Sequence, residues 1–280
     1  MQTDEVNFVK KAPATMACRL CGQGLGETFR QRILGHIDAA YFRCPDCDLI
    51  QTEPPFWLSE AYSTAMSTAD AGAIRRNQLT ADLTSGVAWV LGLGPKAKCL
   101  DDGGGHGVFV RMMRDRGWDF RLCDRYAENI FARGFDGSVD EHFDLVTAFE
   151  VFEHFVDVSG EIERIFAPRP EVVLISTQLH RGHQPGWWYY MPESGQHVAF
   201  YSEKTMRHIA WQHGYDVAGS RAYTLFIRRG ADFAGWRKAA AQWMVRRSRG
   251  DRNHGWLKTL LRAGPRFESR IIADSGITPP

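Results

Sequence analysis

The sequence predicts an α/β protein in which a doubly wound, mostly parallel sheet follows a small cysteine-containing module. Two patterns lead to this fold class. From Lys96 onward, short apolar runs alternate with helical patterns, as in βαβ units whose sheet is covered on both faces. Before that point, four of the six cysteines stand in two close pairs, in a stretch too short to build an apolar core of its own.

Length and composition exclude several classes of protein. A chain of 280 residues with 44% hydrophobic content can form one full domain and a smaller appendage, which excludes a disordered or fibrous protein. No run approaches the roughly 18 apolar residues of a membrane span. We therefore expect a soluble cytoplasmic protein with no membrane partner.

The two cysteine pairs predict a metal site. Cys18 and Cys21 form one C-x-x-C pair, and Cys44 and Cys47 form a second one after 22 intervening residues. Each pair lets two thiolates reach one tetrahedral ion, and four sulfur ligands close the coordination sphere of a structural zinc. A thioredoxin-like redox pair is the alternative, but no βαβ pattern surrounds either pair. Residues 1–60 are thus predicted to be a zinc-ribbon-like module.

After the cysteine module, the sequence pattern predicts first a helical segment and then a series of strands and helices. Residues 61–95 read as a connecting helical segment, which the glycines and proline at Gly92–Pro95 end. Residues 96–230 form the predicted α/β domain. Its candidate strands are Lys98–Asp102, Phe120–Asp124, Leu145–Glu150, Val172–Ser176 and Tyr223–Arg228.

A glycine-rich turn connects the first of these strands to a helical pattern. Asp101 precedes glycines at Gly103, Gly105 and Gly107, and such a turn brings bare backbone amides and a helix N-terminus close to a ligand. The dinucleotide fingerprint G-x-G-x-x-G fails, because Val108 stands where its third glycine is needed. The turn does resemble the first motif of class I methyltransferases, an acid followed by G-x-G-x-G.

The resemblance implies a Rossmann-like methyltransferase domain that binds S-adenosylmethionine. Asp101 would then recognise the methionine moiety of the cofactor, and Gly103, Gly105 and Gly107 would let the cofactor lie against the backbone. Asp124, 23 positions after Asp101, can accept both ribose hydroxyl protons at the end of the next strand. Its structural alternative is an N-cap on the segment that follows.

A third motif supports the same resemblance. The run from Phe143 to His154 resembles the fourth strand of the family and its E-V-L-E-H ending, with Phe152 in place of leucine. Phe149 and Glu150 would lie at the carboxyl edge of the sheet and face the cofactor. Taken alone, Glu153 and His154 could simply cap a short helix.

An aromatic and polar insertion from 180 to 202 predicts the acceptor pocket, because it follows the fifth strand at the ligand-binding edge of the sheet. The four cysteines together with a class I domain resemble the sugar C-methyltransferases, in which a histidine before an aromatic-serine helix start lies in the active site. His197, before Phe200-Tyr201-Ser202, matches that position. The resemblance makes His197 the candidate base, with Glu193 or Tyr190 orienting it or binding substrate oxygens.

Three functions follow as hypotheses. The first is a small-molecule methyltransferase whose acceptor could be a nucleotide-linked sugar. The second is an RNA or protein methyltransferase that docks through the zinc module and through the basic helical extension at 231–280. No N/D-P-P-Y/F/W run, which many methyltransferases of amino groups and bases carry, follows the fourth strand; this disfavours the second hypothesis and makes a nucleic-acid partner less expected. The third is a binding protein that has kept only the cofactor fold, against which every expected cofactor position is filled.

Overall fold

The computed structural model describes residues 16–63, 72–182 and 185–248, together with Asp274. The start of the predicted module 1–60, part of the connecting segment 61–95 and most of the extension 231–280 lie outside the described residues.

Short antiparallel strands build the N-terminal part. They are β1 (Met16–Ala17), β2 (Gly24–Leu25), β3 (Glu27–Ile33), β4 (Ile37–Arg43) and β5 (Ile50–Thr52). β1 pairs with β2, and β4 pairs with both β3 and β5. Each cysteine pair lies in the turn between two paired strands, the first between β1 and β2 and the second between β4 and β5. Each pair of thiols is thereby held at the end of a hairpin.

Helices and strands then alternate along the rest of the chain. They are α1 (Leu58–Ala61), α2 (Ala73–Leu91), β6 (Lys98–Asp102), α3 (Val108–Asp115), β7 (Asp119–Cys123), β8 (Leu145–Phe149), α4 (Val158–Phe166), β9 (Val172–Ser176), β10 (Ala199–Phe200), α5 (Glu203–His213), β11 (Tyr215–Gly219), β12 (Tyr223–Arg228) and α6 (Gly235–Arg247). None of the described helices is both long enough and apolar enough to cross a membrane.

Six strands form the main sheet in the order β11-β12-β9-β8-β6-β7. The four strands β7, β6, β8 and β9 are parallel, and β12 is antiparallel to both of its neighbours. The chain winds outward from β6 to β7 and then in the other direction from β8 to β9, so the topology switches between β6 and β8. The predicted Rossmann-like, doubly wound fold is confirmed. Ligands of such sheets bind at the carboxyl ends of the strands next to the switch point.

Helices cover both faces of this sheet. On one face, α2 packs against α3 and α6 around a core that includes Leu83, Val110 and Val245. On the other face, α4 and α5 share their core with the cysteine hairpins, because Cys18 and Cys47 belong to the same buried cluster as Ile162 and Ile209. The N-terminal hairpins therefore bury their apolar side chains against the main sheet.

A strand from the acceptor insertion completes the N-terminal sheet. β10 pairs with β5 through Ala199 and Phe200, which gives a four-stranded sheet in the order β10-β5-β4-β3. The segment that directly follows His197 is thus hydrogen-bonded to the cysteine-containing part of the chain. This pairing brings the N-terminal sheet next to the predicted acceptor site.

Candidate active site

The glycine turn lies at the switch point, between the end of β6 and the start of α3. Gly103, Gly105 and Gly107 all have positive φ, at 72°, 58° and 86°, a region that L side chains rarely adopt. A Cβ on Gly103 would lie 2.7 Å from the side chain of Val151, whereas a Cβ on Gly105 would meet no atom within 4 Å. Gly103 therefore allows close packing of the turn, and Gly105 leaves backbone open to a ligand.

Asp101 is buried directly below this turn. Its carboxyl group accepts a hydrogen bond of 2.6 Å from the hydroxyl of Thr147, and its Oδ2 would collide with any Cβ on Gly104. Burial raises the pKa of Asp101 to about 8, and the charge of Asp102 adds to the rise. A cation placed beside the turn would favour the ionised carboxylate, so this position suits an ammonium-bearing ligand.

Asp124 is hydrogen-bonded to the backbone around the turn. Its Oδ2 accepts the N–H of Gly105 at 2.8 Å, and its Oδ1 accepts the N–H groups of Tyr126 and Ala127 at 2.8 Å each. No helix follows between 124 and 144, all of which are described, so these bonds cap a loop and the helix N-cap alternative does not apply. Oδ2, with one backbone partner, keeps a lone pair available for a hydroxyl donor.

Phe149 and Glu150 stand at the carboxyl end of β8. The half-buried ring of Phe149 packs edge-on against Phe109 of α3, with 5.0 Å between the ring centroids. Glu150 has φ of 55°, which is uncommon outside glycine. Ser176 fixes it, because the N–H of Glu150 donates to Ser176 Oγ at 3.0 Å and that hydroxyl donates to Glu150 Oε1 at 2.6 Å. Burial and the charge of Glu153 raise the pKa of Glu150 to about 7.

Two imidazoles meet beside this edge of the sheet. The rings of His154 and His197 are in edge-to-face contact with centroids 4.9 Å apart. His197 Nδ1 lies 2.8 Å from the carbonyl oxygen of Tyr189. Because a carbonyl only accepts, Nδ1 of His197 carries the proton in this contact, and Nε2 of the neutral ring keeps its lone pair. Burial and the neighbouring His154 lower the pKa of His197 to about 3, so its ring is neutral at pH 7.

Residues that were assigned no role from the sequence complete this group. His154 Nδ1 lies 3.2 Å from both the Gln196 carbonyl oxygen and the Tyr62 hydroxyl. Glu153, which is fully buried, accepts a hydrogen bond of 2.6 Å from the Tyr189 hydroxyl, and burial raises its pKa to about 7. The E-V-L-E-H resemblance pointed to Glu153 and His154, but nothing local in the sequence indicates Tyr62, Tyr189 or Gln196.

The other two predicted acceptor-side residues lie elsewhere. Glu193 is exposed. Tyr190 is fully buried and packs on Tyr41 and Phe200, with ring centroids 5.1 and 4.8 Å away. The hydroxyl of Tyr190 finds no hydrogen-bond partner among the described residues. The structure therefore pairs His197 with Tyr189, the neighbour of Tyr190 in the chain.

Two groups of side chains qualify as metal ligands by type. The four predicted cysteines are free thiols, with Cys18 Sγ 3.5 Å from Cys47 Sγ and Cys21 Sγ 3.4 Å from Cys44 Sγ. Bonds of about 2.3 Å to one tetrahedral zinc place sulfurs roughly 3.8 Å apart, so the donor set fits that ion. Glu153, His154 and His197 form a second group, whose ligand atoms lie within 4.8 Å of one another.

Comparisons with known proteins agree with this geometry. Residues 75–219, from α2 to the end of β11, match the family described as Methyltransferase domain. No match was found among curated proteins.

Solved structures with a similar fold include three methyltransferases. Magnesium protoporphyrin IX methyltransferase from Synechocystis PCC 6803 with bound SAM is 17% identical, over 61% of this chain and 89% of that one, with a TM-score of 0.40. Human N-acetylserotonin methyltransferase in complex with SAM is 15% identical, over 51% of each chain, with a TM-score of 0.40. CalO1, a methyltransferase in calicheamicin biosynthesis, is 15% identical, over 52% of this chain and 54% of that one, with a TM-score of 0.38. The match thus spans about half the length of the last two proteins.

Proposed function

We propose that this chain, which belongs to the family described as Methyltransferase domain, is an S-adenosylmethionine-dependent methyltransferase whose acceptor is a small oxygenated molecule. A nucleotide-linked keto sugar is the leading candidate. The observation that carries the proposal is the neutral His197 ring, whose Nδ1 is engaged by the Tyr189 carbonyl and whose Nε2 lone pair is free to take a proton.

The chemistry needs positioning and the removal of one proton. A carbon next to a ketone attacks the methyl carbon, the bond between that carbon and sulfur breaks, and the electron pair stays on sulfur to give S-adenosylhomocysteine. The sulfonium is already an activated leaving group, so orientation of the acceptor and its deprotonation are the tasks left to the protein. In the proposal His197 takes the proton from the acceptor carbon. His154, which contacts His197, Tyr62 and Gln196, orients the ring of His197.

The remaining predicted residues keep defined places in the proposal. Gly103, Gly105 and Gly107 would let the cofactor lie against the turn, and Asp124 would bind its ribose. Their supporting observations are the positive φ angles and the hydrogen bond between Asp124 and Gly105. The carboxylate of Asp101, below the turn, would interact with the positively charged ammonium group of the methionine moiety.

The less central assignments remain predictions. Phe149 and Glu150 would border the cofactor from the end of β8. Glu193 or Tyr190 would orient His197 or bind substrate oxygens.

The acceptor is tested by following the methyl group. Purified protein with methyl-tritiated S-adenosylmethionine is offered a panel of nucleotide-linked keto sugars, their reduced hydroxy forms, total RNA and a protein lysate. We expect tritium in a keto sugar and in none of the macromolecules. Transfer to RNA or protein alone would overturn the proposed acceptor and would favour the docking function instead. Mass spectrometry of the labelled product then distinguishes methylation at carbon from methylation at oxygen.

We also propose that Cys18, Cys21, Cys44 and Cys47 hold one structural zinc ion, as the donor set suggests. Metal analysis of protein prepared under reducing conditions is expected to give about one zinc per chain, and Cys44→Ser is expected to lower that value strongly. Cys123→Ser is the matched control, because Cys123 lies outside the hairpins at the end of β7. A wild-type protein that is folded and contains no zinc would contradict the assignment.

A further inference from the structure

Arg19 stands between the two cysteines of the first pair, and its polar groups reach away from the hairpin. Its N–H donates to Gln51 Oε1 at 2.8 Å, and its carbonyl accepts the N–H of Ser159, at the start of α4, at 3.0 Å. The guanidinium donates to the carbonyl oxygens of Val198 at 2.6 Å, Val156 at 3.3 Å and Thr52 at 3.4 Å. One side chain thus links three separate segments of backbone.

Two of these segments carry the acceptor-side histidines. Val156 comes two residues after His154, and Val198 comes directly after His197. The same segments also meet through the N–H of Val198, which donates to the carbonyl of Glu153 at 2.8 Å. Arg19 therefore adds a second connection, from outside, between the backbones that hold the two rings 4.9 Å apart.

The charge of Arg19 has no carboxylate beside it. The described residues include no ion pair to Arg19, and its guanidinium binds neutral carbonyl oxygens. Arg19 is only partly exposed, and the part of its charge that is removed from water is stabilised by hydrogen bonds and by a compensating charge. Four thiolates around one zinc ion would carry a net charge of −2, and Arg19 stands between two of these ligands, Cys18 and Cys21, in the chain. The cysteine site, once loaded, would supply the missing negative charge.

We propose that Arg19 is a positioning residue that couples the cysteine site to the acceptor side of the active site. It holds the 152–156 and 197–199 segments against the first hairpin, and so fixes the contact between His154 and His197. That these histidines face the acceptor rests on the proposed function. The coupling itself concerns only Arg19 and the two histidines.

The experiment reads the histidines directly and needs no acceptor. Histidine ring resonances are followed by NMR across pH in wild-type protein and in Arg19→Ala, with assignments from His154→Gln and His197→Gln. Zinc content and the affinity for S-adenosylhomocysteine are measured on the same samples. Arg32→Ala is the matched control, because Arg32 is an exposed arginine of the same N-terminal sheet.

We expect Arg19→Ala to shift both ring signals and to raise the pKa of His197 by roughly one pH unit or more, since loosened segments admit water. Affinity for S-adenosylhomocysteine should stay within about threefold of wild type, because the glycine turn is not touched. Arg32→Ala should change neither. Unchanged signals and titration of both histidines in a folded Arg19→Ala protein would overturn the coupling.

A second variant covers the case in which Arg19→Ala fails to fold. Arg19→Lys keeps the charge but cannot reach three carbonyl groups with one ammonium. We expect a folded, zinc-bound protein with an intermediate shift of the His197 signal. If Arg19→Lys also loses zinc and unfolds, Arg19 is a structural residue of the hairpin, and the proposal fails. If the acceptor panel gives no product while the histidines respond to Arg19, only the proposed acceptor is lost.

Discussion

His197→Ala is expected to lower the rate of methyl transfer by about a hundredfold to ten-thousandfold, the usual contribution of a positioned general base. Affinity for S-adenosylhomocysteine should stay within roughly threefold of wild type, since the predicted cofactor ligands lie at Asp101–Gly107 and Asp124. The physical reason is the state of the ring. It is neutral at pH 7, and its Nδ1–H is held by the Tyr189 carbonyl, which leaves the lone pair on Nε2.

The measurement is single-turnover methyl transfer at saturating cofactor and acceptor, which separates chemistry from binding. His213→Ala is the matched control, because His213 is also a partly buried imidazole in ring contact but lies on α5, where it stacks on Phe166. We expect the control to lose some thermal stability and little rate. A His197→Ala rate within about threefold of wild type would remove His197 from the mechanism.

Much of the fold follows from local patterns in the sequence. The strands predicted at Lys98–Asp102, Val172–Ser176 and Tyr223–Arg228 match β6, β9 and β12 without a change of boundary. β9 and the middle of β12 read as apolar runs, as expected of strands buried on both faces, whereas β6 was predicted from Cys99 and Leu100 before the glycine turn. β11 was not predicted, because Tyr215–Gly219 is neither a continuous apolar run nor a strict alternation, and its pairing with β12 decides its conformation.

Local sequence patterns also predict the ends of helix α5, but they do not predict which face of helix α6 is buried. Ser202 forms the N-cap of α5 and Gly214 ends it, as their residue types indicate. In α6, Trp236 and Trp243 are seven positions apart, a spacing that places both on one face of a helix, but both side chains are exposed, at 67% and 49%, and Ala241, Met244 and Val245 are buried instead. Two helical stripes were available in this sequence, and packing against α2 selects between them.

The candidate site also has one part that local sequence motifs predict and one part that depends on long-range contacts. The predicted cofactor side consists of one turn and the ends of adjacent strands, so three short motifs were enough to predict it, and its contacts with the cofactor stay a prediction. The acceptor side brings together residues from the end of α1 to the loop before β10, including Tyr62, His154 and His197. Such contacts depend on the pairing of β10 with β5, which no local pattern reveals. That is why the neighbour Tyr190 was named where Tyr189 makes the contact.

Asp124→Ala is expected to weaken S-adenosylhomocysteine binding by roughly tenfold to a hundredfold. A hydrogen bond to a charged acceptor contributes about 1.5–3 kcal/mol, and each 1.4 kcal/mol corresponds to about a tenfold change in affinity. The variant also leaves the N–H of Gly105 without its acceptor, so the glycine turn loses part of its support. Both effects act on the cofactor, and neither touches the histidine pair.

Asp124→Asn separates the two effects, because the amide has the shape of the carboxyl group but keeps only one acceptor oxygen and no charge. Calorimetric titration with S-adenosylhomocysteine, together with thermal unfolding of the free protein, reports both. Asn can keep the hydrogen bonds of only one of the two oxygens, so we expect Asp124→Asn to unfold between Asp124→Ala and wild type. It should still bind at least about tenfold more weakly than wild type, because a charged acceptor is lost at the ribose. Asp216→Asn is the control, since Asp216 is an exposed carboxylate on β11 that pairs with Arg229. If both Asp124 variants remain folded and bind within about twofold of wild type, the ribose is held by another group, and Asp124 serves only to shape the loop that begins at Arg125.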